Sequence, residues 1–195
     1  MRLFVDWLHG ILTVVFAGIL WMAFVTSAYD LFPAMALAVV AYALAGFVHP
    51  HLKKYLFGKT VMFDIHGVYL AGDFNLETLW EMEGTADLVQ RLRQKYKVAA
   101  LTNMGPEMWN MWNGKWRIQQ LFDYAFYSGQ FKIKKPDARF FEIAVRQMRS
   151  DPHQTVFLDD LAENVEAARK LGMKGIVFKN AKQAEEDLKK LGFGP

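Results

Sequence analysis

Residues 61–68 read VMFDIHGV. An apolar run of strand character, residues 61–65, carries Asp64, and His66 and Gly67 follow at once. A second stretch has the same form. Residues 155–158, TVFL, have strand character and run into Asp159 and Asp160. Between and after these two, strand-like runs alternate with amphipathic helical ones. Residues 85–96 predict a helix with Leu88, Leu92 and Tyr96 on one side. Residues 98–101 predict a strand, 107–112 and 117–122 helices, and 124–127 a short strand. In residues 138–148, Phe140, Phe141, Ile143, Ala144 and Met148 recur at helical spacing. Helices at 163–171 and 181–191 flank a strand at 175–178. This alternation implies βαβ units, hence an α/β domain whose parallel, Rossmann-like sheet carries helices on both faces.

Open parallel sheets bind ligands at the carboxyl ends of their strands, so the residues there matter most. Asp64 ends the first strand, Thr102 and Asn103 the second. Lys135 precedes the helix at 138, and Asp159 and Asp160 follow the later strand. Carboxylates brought together from neighbouring strands repel one another and cannot all ionise cheaply. A cation between Asp64 and Asp160 relieves this, and an all-oxygen donor set suits Mg²⁺. Lys135 adds a point charge for an anionic substrate. Thr102 and Asn103, opening a helix, add donors beside backbone N–H groups that favour an anion. An aspartate can serve as a nucleophile through an acyl-phosphate intermediate. Together these groups point to metal-assisted phosphoryl transfer. Taken singly, each could merely cap a helix or turn a loop.

The order and spacing resemble the four motifs of the haloacid-dehalogenase (HAD) superfamily. Asp64-Ile65-His66-Gly67-Val68 resembles its first motif, Leu101-Thr102-Asn103 its second, and Lys135-Pro136-Asp137 its third. Val156 to Asp160, with Asn164 and Ala168, resembles the fourth. The resemblance spans about residues 61–178 and includes Leu171-Gly172-Met173 before the last strand. It implies that Asp64 is the nucleophile and a Mg²⁺ ligand. Asp160 would be the second carboxylate ligand, and the backbone carbonyl of His66 would complete the metal site. Thr102, Asn103 and Lys135 would bind the phosphoryl group. Asp159 or Asn164 would orient Lys135 or the metal waters, although both also suit a helix cap.

The chain departs from that pattern in two places. Phosphatases of the superfamily carry a second acid two residues after the nucleophile, and here His66 stands in its place. Three outcomes stay open: His66 does the acid–base work, does it poorly, or the domain is no enzyme. The charge of an adjacent Mg²⁺ would oppose protonation of the ring. A branch that cleaves carbon–halogen bonds also lacks the second acid, which keeps dehalogenation as a further reading. The second departure is size. About forty residues separate Asp64 from Thr102, and much of that is helix, so no cap domain fits. The site should be open, which suits a macromolecular substrate, a partner acting as lid, or no turnover at all.

The rest of the chain is unlike this domain. Within residues 1–58 the charged residues are Arg2, Asp6, Asp30, Lys53 and Lys54. Two apolar runs, 7–29 and 31–48, each approach the roughly 20 residues a helix needs to cross a bilayer. A short break containing Asp30 and Pro33 joins them into an expected transmembrane hairpin, residues 1–52, ahead of an α/β domain, residues 53–195. Arg2, Lys53, Lys54 and Lys59 flank the runs and the turn has no Lys or Arg, so both termini and the domain should be cytoplasmic. A signal peptide is shorter and is not followed by a second apolar run. His9 reads as an interfacial, hydrogen-bonded histidine, with a buried ligand or proton relay as the alternative.

A net charge of +3, without a basic stripe, is too small to argue for nucleic acid, and no such partner is expected. With no cysteine, disulfides, thiolate metal sites and cysteine nucleophiles are excluded. Met104, Met108, Trp109, Met111, Trp112 and Trp116 crowd together after the second motif. They are either helix core or a surface for a membrane-protein partner. Two functions follow: a membrane-anchored, Mg²⁺-dependent phosphate-ester hydrolase, or a weakened or inactive accessory subunit of a membrane assembly.

Overall fold

A computed structural model describes residues 58–195. The expected transmembrane hairpin and the expected division after residue 52 lie outside the described residues. Among the described residues, no helix is long and apolar enough to cross a membrane.

The sheet has five strands. They are β1 (Thr60–Phe63), β4 (Lys97–Thr102), β5 (Tyr124–Tyr127), β6 (Thr155–Asp159) and β7 (Lys174–Val177), in the order β5-β4-β1-β6-β7. Every neighbouring pair is parallel. β1 sits at the centre, with Thr60 opposite both Lys97 and Thr155. Asp64 lies just past its end, where its backbone N–H still donates to the Leu158 carbonyl at 2.9 Å.

Strand side chains alternate between faces, and the core divides accordingly. Val61, Phe63, Val98, Ala100, Val156 and Leu158 belong to one buried cluster. Met62, Ala99, Leu101 and Phe157 belong to another. The first cluster takes in Leu88, Val89 and Leu92 of α1 (Thr85–Lys95), Trp109 and Trp112 of α2 (Pro106–Trp116), and Ala184 and Leu188 of α7 (Ala181–Lys190). The second takes in Phe140, Phe141, Ala144 and Val145 of α5 (Ala138–Gln147) and Ala168 of α6 (Ala162–Lys170). Both faces of the sheet are therefore dry, which is why its strands read as unbroken apolar runs. Truncating Phe63 or Phe157, each fully buried, would cost about 3–5 kcal/mol.

Helix ends follow local chemistry. Pro106 opens α2, where its missing N–H is not needed. Asp137 caps α5 by accepting from the Arg139 backbone, and Asn180 caps α7 by accepting from that of Gln183. α2 ends at Arg117, whose left-handed backbone also opens the short α3 (Ile118–Leu121). Another short helix, α4 (Ser128–Phe131), follows β5.

One element has no counterpart in the strand and helix pattern. β2 (Leu70–Ala71) and β3 (Trp80–Glu81) form an antiparallel hairpin between Asp64 and α1. Two-residue strands are too short for alternation to register. The turn depends on Gly72 at φ 111°, where a Cβ would lie 2.3 Å from the Thr78 carbonyl oxygen. Lys115 of α2 donates to the Leu76 carbonyl in the hairpin loop.

The crowd of methionines and tryptophans after the second motif turns inward for the most part. Met104, Trp109 and Trp112 are buried, and Met108 and Trp116 pack half-buried against the first cluster. Met111 is the exposed member.

Candidate active site

At the carboxyl edge of the sheet, residues from three segments meet around one ammonium group. Lys135 is buried, and its Nζ lies 2.8 Å from Asp64 Oδ1 and 2.7 Å from Asp159 Oδ2. The strand order explains the meeting. β1 and β6 are neighbours, so Asp64 and Asp159 end side by side. Lys135 arrives from the loop before α5, fastened by a reciprocal pair of bonds. Its backbone N–H donates to Asn103 Oδ1 at 2.8 Å, and Asn103 Nδ2 donates to its carbonyl at 2.9 Å. Asn103 thus ties the second motif to the third.

Asp159 is fully buried and fully engaged. Besides Lys135, it accepts from the Leu161 backbone at 2.9 Å and from Asn164 Nδ2 at 3.0 and 3.1 Å. Asn164 therefore orients Asp159 rather than capping α6. Asp64 differs. Its Oδ1 accepts from Lys135 and from the Ile65 N–H at 2.7 Å, while Oδ2 takes no hydrogen bond among the described residues. Thr102 ends β4 at 2% exposure, level with this edge.

Asp160 completes an acidic cluster. One oxygen from each of Asp64, Asp159 and Asp160 lies within 4.8 Å of the others. Gly67 makes room for it. With φ at 84°, a Cβ there would lie 2.3 Å from Asp160 Oδ2, so a side chain at 67 is excluded by both strain and contact. Burial raises the Asp64 carboxyl above the ordinary range; Lys135 opposes this and Asp159 adds to it. Asp160 is raised by burial and then by Asp159. Three carboxylates against one ammonium leave two negative charges uncompensated. A hard divalent cation fits such an oxygen donor set, with Asp64 and Asp160 as its carboxylate ligands, because Asp159 is already committed to Lys135 and Asn164.

His66 sits apart from this cluster in its bonding. Its Nε2 lies 2.9 Å from the Gly72 carbonyl oxygen. Its ring stacks on Phe74 with centroids 4.5 Å apart at 17°, and tilts against Trp112 at 5.9 Å. The hairpin thus grips the side chain that replaces the second acid. Sequence reasoning missed Gly72 and Phe74 as neighbours of the site. A turn glycine eight residues after the nucleophile was the available signal.

A Rossmann-like parallel sheet with an aspartate just past its central strand, a buried lysine and two further carboxylates is the arrangement that the sequence motifs led to. The chain belongs to the haloacid dehalogenase-like hydrolase family, whose model matches residues 20–172. It is 31% identical over 130 residues to flavin mononucleotide hydrolase 1 of Arabidopsis thaliana, covering 62% of this chain and 53% of that protein. It is 27% identical over 114 residues to a glyceraldehyde 3-phosphate phosphatase of Pyrococcus furiosus, covering 56% of this chain and 47% of that protein. The chain thus spans about half the length of these relatives. In structure it resembles a HAD family enzyme of Bacteroides thetaiotaomicron solved with magnesium and inorganic phosphate. The TM-score is 0.57 at 20% identity, covering 63% of this chain and 95% of that one.

Proposed function

We propose that this hydrolase cleaves phosphate monoesters by transfer of the phosphoryl group to Asp64. One observation carries the reading. Asp64 has one oxygen fixed by Lys135 at 2.8 Å and the other without a hydrogen bond among the described residues, in an acidic cluster suited to a divalent cation. The unengaged oxygen attacks phosphorus, and the ester oxygen leaves with its electron pair. Lys135 and the Thr102 hydroxyl hold phosphoryl oxygens, and Asn103 keeps Lys135 in register. Water then attacks the phosphorus of the acyl phosphate and restores the Asp64 carboxylate. Asp64, Asp160 and the His66 carbonyl would hold Mg²⁺, which would supply positive charge where two anions approach each other. Support comes also from the two relatives, named for acting on a mononucleotide and on a phosphate ester.

The apolar runs at 7–29 and 31–48 would anchor the domain to a membrane, with both termini cytoplasmic. The test is hydrolysis of 4-nitrophenyl phosphate by the purified full chain. Activity should vanish with EDTA, return with Mg²⁺, and be absent in Asp64→Asn. Release of the chain from membranes by carbonate alone would contradict the anchor.

The grip of Gly72 and Phe74 on His66 favours a second reading, an accessory subunit with little or no turnover. Such a subunit would co-purify stoichiometrically with membrane partners, and Asp64→Asn would leave that assembly intact.

A further inference from the structure

We infer that the open edge of β7 is a docking site for an extended, acidic segment of a partner protein, which joins the sheet as a further strand. β7 ends the strand order, so one side of its backbone has no neighbouring strand among the described residues. The ladder tells which groups face outward. Phe178 donates its N–H to the Asp159 carbonyl at 2.9 Å, so it faces β6. Alternation then turns the N–H and C=O of Gly175 and Val177 away from the sheet. Their carbonyls agree: that of Gly175 accepts from Arg169 Nη2 at 2.8 Å, and that of Val177 from Gln183 Nε2 at 3.3 Å. The two outward N–H groups have no hydrogen bond among the described residues. Side chains thus stand in for the donors of a next strand, and its acceptors are missing.

Space and charge are in place for such a strand. A cleft of about 440 Å³ lies along this edge, between Arg169 of α6 and Gln183, Asp187 and Lys190 of α7, with Lys179 just past the strand. α6 packs on one face of the sheet through Ala168, and α7 on the other through Ala184 and Leu188. The cleft therefore continues the sheet between its two helical layers. A Cβ at Gly175 would lie 2.5 Å from Val165 Cγ1 and 3.0 Å from Arg169 Nε, so the glycine lets Arg169 lie across the edge. Arg169, Lys179 and Lys190 line the cleft against one carboxylate, Asp187, which Gln183 and Lys190 already hold at 2.6 and 2.8 Å. Glu166 lies 3.7 Å from Arg169, and both are half-exposed.

An incoming strand alternates its side chains between faces, so successive acidic residues meet Arg169 on one face and Lys190 on the other. Its carbonyls accept from Gly175 and Val177. Its N–H groups replace Arg169 and Gln183 on the outward carbonyls, and the released guanidinium pairs with a carboxylate. Charge also selects among occupants. A second copy paired edge to edge would set Arg169 and Lys190 against the same cations. Residues 1–57 carry Arg2, Asp6, Asp30, Lys53 and Lys54, with no acidic run. A partner segment with clustered Asp or Glu is the complement.

The experiment uses the full chain in detergent micelles. Its probes are the acetylated peptides Thr-Glu-Glu-Val-Glu-Glu-Thr and Thr-Lys-Lys-Val-Lys-Lys-Thr. Affinity is read by fluorescence anisotropy of labelled peptide, and hydrogen exchange at single amides. In the free chain, Gly175 and Val177 should exchange faster than Ile176. Saturating acidic peptide should slow those two by roughly tenfold or more, and the lysine peptide should not. Arg169→Glu combined with Lys190→Glu, both at exposed positions, should weaken the acidic peptide by roughly tenfold or more and bind the lysine peptide instead. No binding of the acidic peptide overturns the inference. Binding without protection of Gly175 and Val177 is surface ion pairing and overturns the added strand. Equal affinity for the two peptides overturns the selection by charge. Protection of both amides in the free chain means that the edge is already filled, and overturns the inference as well.

Discussion

Two lysines lie buried at opposite edges of the same sheet. Lys97 opens β4 at 1% exposure, and Lys135 lies beyond the carboxyl edge at 2%. Lys97 meets neutral oxygens. Its Nζ donates to the carbonyls of Met148 at 2.8 Å and Arg149 at 3.3 Å, where α5 ends and carbonyls lack intrahelical partners. Burial pulls its ammonium below the ordinary range, and Arg149 adds to this. Lys135 instead meets two carboxylates, with a third close by. At the amino edge, charge is matched to helix dipoles and the arrangement is complete. At the carboxyl edge, negative charge exceeds positive and the arrangement calls for a ligand. The same residue type thus closes a structure at one end and leaves a site at the other.

The sharpest way to break this contrast is at Asp64. Asp64→Asn should lower kcat by at least about 10³-fold, because the nucleophile itself is lost. With EDTA present, its Tm should not fall and should rise by a few degrees, since a like charge leaves the cluster. A lower Tm would mean the cluster is structural, as the Lys97 edge is.

Lys135→Met comes next. It should cost roughly 10²–10³ in kcat/KM, and about 3 kcal/mol of stability in denaturant unfolding, as Asp159 is left buried and unpaired with its charge. Lys97→Ala should destabilise by about 2 kcal/mol through a cavity and the loss of its bonds to two carbonyls. It should leave activity per folded molecule unchanged. Lost activity there would erase the distinction between the two edges.

The smallest effect belongs to a half-buried surface control. Arg91 of α1 donates to Glu185 of α7 at 2.7 Å, and this bond, with Lys189, holds the Glu185 carboxyl down at about 2. A lowered carboxylate stabilises the fold above its ordinary value and loses that contribution as pH falls through the lowered one. Glu185→Gln should therefore cost below about 1 kcal/mol at pH 7, and the difference should disappear between about pH 4.5 and pH 2. A surface pair worth more than either buried lysine would overturn the ranking.

Much of the domain was legible because its signals are local. The runs before Asp64 and Asp159 read as strands because β1 and β6 are buried on both faces. The helix expected at 138–148 is observed at Ala138–Gln147, since four large or small apolar residues repeat on one side. The strand at 98–101 extends to Lys97–Thr102, as no periodicity marks where pairing stops. The helices at 107–112 and 117–122 become Pro106–Trp116 and Ile118–Leu121, divided by the left-handed Arg117. The hairpin of β2 and β3 was not legible, and with it went the surroundings of His66.

What the chain's order of residues determined by itself is which chemistry reaches the carboxyl edge. A carboxylate, hydroxyl, amide or lysine placed after a strand is delivered there by backbone geometry alone. Tertiary structure decided what each group does on arrival. It set Lys135 between Asp64 and Asp159, left Asp64 Oδ2 without a hydrogen bond among the described residues, turned Asn164 onto Asp159, and spent His66 on the Gly72 carbonyl. Those outcomes depend on distances between segments tens of residues apart. Only the packing of both cores against the sheet sets those distances.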